Sequence, residues 1–345
     1  MVGMFVLAPA GKSSHARAAW ALLAWMILAA LALFSPCAAV ARGQSTSGED
    51  EEVVANLAAG RAVILVGKDG IAVGTLEARA EADTRPPLIV PLGSFRVAVL
   101  LGAVEWVTPD MSRPALRLDA ELRRVAGLLP GPRKDQATAT SDIEQFGIAF
   151  LEPLRAVAAR LHRKLDWPKD EVLVELLLVQ YVEAYGPEVW SIRYTLEQEP
   201  MRGEFYNTRV PRPRYVQLYP PEKGQPHTLM ESSYPRSGTP LPLLVDLLKS
   251  NDPRMARLRS ADAQLAHAAD QLDRGESQKL PANEGLQFLR AALNSLAESK
   301  ARQMAVLIRQ REGLEWVAGE NEVAISAPVD DKTREPGAPT LRKKP

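Results

Sequence analysis

With 345 residues, 46% of them hydrophobic, the chain is long and apolar enough to bury one large core or two ordinary ones, which sets it among globular proteins. Its 42 Lys+Arg match its 42 Asp+Glu, so no net field draws nucleic acid or an anionic membrane. The single cysteine, Cys37, excludes a disulfide framework and a zinc site built on cysteines.

Lys12 and Arg17 precede an uncharged run, Ala18 to Ala41, which ends in Pro36 and the small-x-small triplet Ala39-Val40-Ala41. This pattern predicts a secretory signal peptide over residues 1–41, cut before Arg42. The run is also long enough to cross a bilayer as an uncleaved anchor. Either way the remainder is expected outside the cytoplasm, periplasmic or secreted, with membrane contact only if the segment is retained. Acylation at Cys37 fits poorly, because a proline precedes it. Cleavage removes Lys12, Arg17 and the only thiol, leaving 40 basic against 42 acidic groups and no cysteine nucleophile.

Residues 42–57 read as an acidic flexible segment, with a short helix expected through "EEVVANLAAG". The next stretch, "GRAVILVGKDGIAVGTLEAR", predicts a hairpin buried on both faces around an Asp69-Gly70 turn. "PPLIVPL", Gly93-Ser94 and "RVAVLLGAVEW" predict a second. The period then changes to three and four. Ala115, Leu118, Leu122, Val125 and Leu129 predict a helix opening at Pro114. A capping box at Ser141-Asp142-Ile143-Glu144 opens another, expected to run to Leu165 with a bend at Pro153. "EVLVELLLVQYVEAYGPEVWSIRYTLEQ" is a third hairpin, split at Gly186-Pro187. Between 200 and 240, "RGEFYNTRV" and "PRYVQLYPP" read as strands among many prolines. Helices follow through "LPLLVDLLKS", "RMARLRSADAQLAHAADQLDRG" and "ANEGLQFLRAALNSLAESKA", and a last hairpin turns at Glu312-Gly313. Residues 319–345, charged and proline-bearing, read as a disordered tail.

The order of two hairpins, two helices, a hairpin with further strands, helices and a closing hairpin resembles that of the proteasome-type N-terminal nucleophile hydrolases. "AVILVGKDGIAVGTLEAR" resembles that family's opening hairpin, "PPLIVPLGSFRVAVLLG" its second, "VELLLVQYVEAYGPEVWSI" its central one and "QMAVLIRQREGLEWV" its last. The likeness covers residues 58–318, with 211–280 as a Pro-rich and helical insertion. It implies an α+β, four-layer αββα sandwich of two antiparallel sheets.

The same resemblance implies a nucleophile that is the first residue of the mature chain, with its own α-amino group as base. Counted back from Asp69-Gly70, that position falls on Gly60 or Arg61, and no Ser, Thr or Cys occurs from Glu49 to Gly74. The family's lysine would fall at Pro86 or Pro87, and only Glu77 matches an acidic position. The likeness is therefore to a non-catalytic member, and the expected role is assembly as a homo-oligomer or binding of a protein partner rather than enzymatic. The alternative is a secreted hydrolase with a site in the 200–240 region around Glu204 and His227.

Other residues offer less. His162 reads as solvent-facing, His267 as a surface residue, and His227 has Glu222 and Glu231 near it in sequence. No paired-histidine spacing, phosphate loop or Gly-x-Ser-x-Gly is present, so no metal and no cofactor are expected. "PRPRYVQLYPP" interleaves arginine with tyrosine, and packing on its own domain is favoured over nucleic acid.

Overall fold

The computed structural model describes residues 54–58, 60–78, 88–107, 114–129, 138–162, 164–165, 172–183, 185–203, 205–224, 227–234, 242–250, 252–297 and 301–317. These belong to one compact unit, Glu51–Pro345. The predicted signal segment, most of the acidic segment and the predicted tail lie outside the described residues.

In chain order the strands are β1 (Val54–Ala58), β2 (Gly60–Val66), β3 (Gly70–Ala78), β4 (Ile89–Gly93), β5 (Arg96–Val107) and β6 (Pro114–Arg117). Helices α1 (Leu118–Ala126) and α2 (Thr140–Ala158) follow. Then come β7 (Val172–Val182), β8 (Gly186–Thr195), β9 (Glu197–Pro200), β10 (Tyr206–Arg209), β11 (Arg214–Tyr219) and β12 (Leu229–Tyr234). Helices α3 (Leu244–Lys249), α4 (Pro253–Ala261), α5 (Ala263–Asp273) and α6 (Ala282–Leu296) precede β13 (Ala301–Arg309) and β14 (Gly313–Val317).

The chain is thus an α+β protein with two main antiparallel sheets. One has seven strands, ordered β1-β5-β7-β8-β11 with β4 and β6 also on β5. The other has five, ordered β12-β2-β3-β13-β14, and β9 with β10 forms a separate pair. The predicted hairpins hold: Val66 pairs with Ile71, Gly186 with Val182, and Gly313 with Arg309.

Alternation along β2 sorts its side chains between two buried clusters. Ala62, Ile64 and Val66 join residues of the seven-stranded sheet and of α1 and α2 in an inner cluster. Val63 and Leu65 join residues of α3 to α6 in an outer one. The same division separates Val306 from Ala305 and Leu307 on β13. On the inner side α2 lies against β8, where the Phe150 and Tyr194 rings meet edge to face at 5.6 Å and the Tyr194 hydroxyl donates to the Gly147 carbonyl at 2.9 Å. Gly147 is a glycine because the Tyr215 ring occupies the place of a β-carbon, 2.6 Å away.

Several expectations need correction. The helix expected through Arg254–Gly275 is two, α4 and α5, because Asp262 leaves the helical region between them. Residues Val54–Ala58 form a strand rather than part of a helix, since β5 offers them ladder partners from Gly102 to Val107. Pro114 opens β6 and not a helix, a place where its missing N–H costs nothing. The second helix ends at Ala158, because Leu161 and His162 turn their carbonyls to the Thr208 hydroxyl and the Tyr206 N–H. Its cap is Ala139, so the box at Ser141 does not form.

Candidate functional site

Gly60 occupies the position that the family resemblance gives to a nucleophile. It follows β1 after one residue, and β1 is laddered to β5 in the other sheet. The Gly60 nitrogen is therefore an internal peptide nitrogen anchored from upstream. A β-carbon there would stand 2.9 Å from the Leu76 carbonyl oxygen and 3.3 Å from Leu88, so no side chain fits. Pro86 and Pro87, at the lysine position, lie outside the described residues.

Glu77 stands opposite Gly60 on β3 and is buried. It shares a face with Val73, an inner-cluster residue, so it points between the sheets. His227 is exposed, and the following Thr228 accepts the Val66 N–H at 2.8 Å. Gly60 and Val66 are the two ends of β2, roughly 20 Å apart at ~3.3 Å per residue. The structure does not bring Glu77 and His227 together. Glu204 lies outside the described residues. His162 and His267 are both exposed.

Arg61, the other candidate nucleophile position, serves the helices. Its Nη2 donates to the Pro242 carbonyl at 2.9 Å and its Nη1 lies 3.7 Å from Glu231 Oε2. Glu231 Oε1 accepts the N–H groups of Leu244 at 2.5 Å and Val245 at 3.3 Å, closing the start of α3. Burial dominates both charges. It holds the Arg61 guanidinium below its usual range, with Glu231 opposing and Arg254 reinforcing. It raises the Glu231 carboxyl despite Arg61 and the two amides, with Asp246 adding to the rise. Glu231 is thereby engaged away from His227.

A buried polar cluster between the sheets centres on Glu175 of β7, which is 1% exposed. Its Oε1 accepts Ser191 Oγ at 2.6 Å and Arg193 Nε at 2.9 Å, both from β8, and its Oε2 accepts Ser232 Oγ from β12 in the other sheet. Two hydroxyls held by a carboxylate, with all described histidines exposed, make a tie between sheets and leave neither serine with an imidazole to activate it. A sequence signal was available: Glu175 is the lone charge within "VLVELLLVQYV".

A groove of about 560 Å³ lies between the C-terminal end of α2, at Arg155 and the capping Ala159, and β10 with Val210 and Pro211. Its arginines are engaged, Arg155 Nε with the Val210 carbonyl at 3.0 Å and Arg209 with Glu197 and Glu199, each at 2.9 Å. The β9–β10 connection exposes Met201 and Phe205. Among the described residues no group of three His, Cys, Asp or Glu could hold a metal ion, and no helix is long and apolar enough to cross a membrane. No protein-family model matches the chain, and no curated protein matches it.

Proposed function

We propose that the chain is an extracytoplasmic, non-catalytic protein that takes the αββα layering of proteasome-type N-terminal nucleophile hydrolases and acts through assembly or partner binding. The observation that carries this reading is Gly60, an internal residue with no space for a side chain at the position where such an enzyme needs a free amino terminus and a hydroxyl or thiol. The layering draws support from the alternation of β2 and β13 between an inner cluster shared with α1 and α2 and an outer one shared with α3 to α6. Export rests on the leader pattern of residues 1–41. Partner binding draws support from the exposed Met201 and Phe205, brought together on the β9–β10 connection.

Intact mass of the exported protein, recorded under denaturing and native conditions, tests both halves. The expected denatured mass places the start at Arg42, and the native spectrum is expected to contain an oligomer or a complex. A start at Gly60 or Arg61 would free the amino terminus that this reading holds to be internal and so overturn its carrying observation, and a bare monomer would overturn assembly.

A further inference from the structure

β11 closes one side of the seven-stranded sheet. Its inner edge is laddered to β8, and residues 214–219 make no other backbone–backbone hydrogen bond among the described residues. A row of main-chain donors and acceptors therefore faces outwards. Pro213 and Pro220 flank it, and since proline offers no N–H, the row open to a further strand is bounded to the six residues of β11.

The two faces of this strand differ. Tyr215 is taken up by α2, its ring over Gly147 and its hydroxyl donating to the Glu144 carbonyl at 3.2 Å. Arg214 and Val216, on the opposite face, are exposed, Val216 by 42%. Arg214 stands opposite Arg193, and like charges in that relation repel. Arg193 is neutralised by Glu175 at 2.9 Å, whereas Arg214 and the nearby Arg212 make no ion pair among the described residues.

We infer that β11 is a docking edge for an extended acidic segment of a partner protein, which adds as a further strand and sets a carboxylate against Arg214 and an apolar side chain against Val216. Residues two apart on an added strand share a face, so the required pattern is acidic–x–apolar, with a further carboxylate within reach of Arg212. A second copy is a poorer occupant, because the β11 sequence RYVQLY carries no carboxylate to set against Arg214. This inference rests on the reading of the chain as a partner-binding protein and names where the partner adds and what it carries.

The test uses the full-length chain and a fluorescent, end-capped peptide repeating Glu-Thr-Glu-Thr-Val-Thr, which sets glutamates and a valine on one face, followed by anisotropy. The acidic peptide is expected to bind, to weaken with salt, and to lose binding when its alternate amides are methylated. The double variant Arg212→Glu, Arg214→Glu is expected to weaken it about tenfold and to take the matching Lys-Thr-Lys-Thr-Val-Thr peptide instead. Both side chains are exposed, and an unchanged thermal melt confirms that the variant folds. Equal binding of acidic and basic peptides, unchanged affinity of the variant, or equal binding of an oligonucleotide would overturn the proposal, as would a native dimer abolished by the variant. A native complex that survives in the variant would sink the β11 assignment and leave partner binding standing. A wild-type chain without any native complex would instead sink the wider reading.

Discussion

Glu231 shows at the scale of one residue how burial and pairing compete. Its carboxylate meets a guanidinium and two amides, yet burial still raises it above its ordinary 4.5. The folded chain thus keeps this proton to a higher pH than the unfolded chain does. Its contribution to stability is fully present below the ordinary value and is lost as pH rises through the raised one. Glu231→Gln, which does not titrate, should therefore gain on the wild type as pH is raised from about 4 to about 7. Urea unfolding at a series of pH values reads this directly, and a gap that stays constant or widens the other way would refute it. Arg61 adds that a position read for chemistry is occupied by packing: its charge holds the chain entering α3.

Among the elements, the clearest case is the break between α4 and α5. The sequence reads as one helix from Arg254 to Gly275, whereas Asp262 leaves the helical region at φ −151° and ψ 135° and accepts the N–H groups of Gln264 at 2.6 Å and Leu265 at 3.2 Å. Asp262→Ala should cost about 1 kcal/mol in denaturant unfolding, and no loss would mean that the two helices fuse without penalty. This break was legible in principle, since aspartate is a strong cap, but the alanines around it favour helix on both sides. Hairpins were legible because their turns carry glycine at the reversal and their strands are uninterrupted runs. β12 was not, because "LMESSY" is short, half polar and takes its place only by pairing with β2. The end of α2 depended on hydrogen bonds to β10, far along the chain, which no local pattern contains. The candidate site was legible as an absence at Gly60 and Arg61, while the tie at Glu175 needed a second sheet to reveal Ser232.

At the scale of the whole molecule, β2, β3 and β13 contribute to both buried clusters. Neither cluster can lose its packing without exposing strands that the other requires, and Glu175 adds a buried polar link from β7 to β12. Unfolding is expected to be a single cooperative transition. Trp106 and Trp190 sit in the inner cluster, whereas α3 to α6 cover the outer one. Tryptophan fluorescence and far-ultraviolet circular dichroism should therefore share one midpoint, and a helical signal that melts ahead of the fluorescence would mean the outer cluster is separately stable.

The double burial of β2 has a cost in addressing. In a strand with one wet face, a shift by one residue turns its apolar side chains to water and is rejected at once. Here such a shift would only exchange Ala62, Ile64 and Val66 with Val63 and Leu65, leaving both faces apolar. Register must be stored elsewhere, and it is stored at the ends. Gly60 fits against the Leu76 carbonyl and Gly67 against the Leu280 carbonyl, each with its missing β-carbon at 2.9 Å, while Arg61 reaches Pro242 and Glu231. A side chain at either glycine would erase one of the marks by which the central strand finds its place.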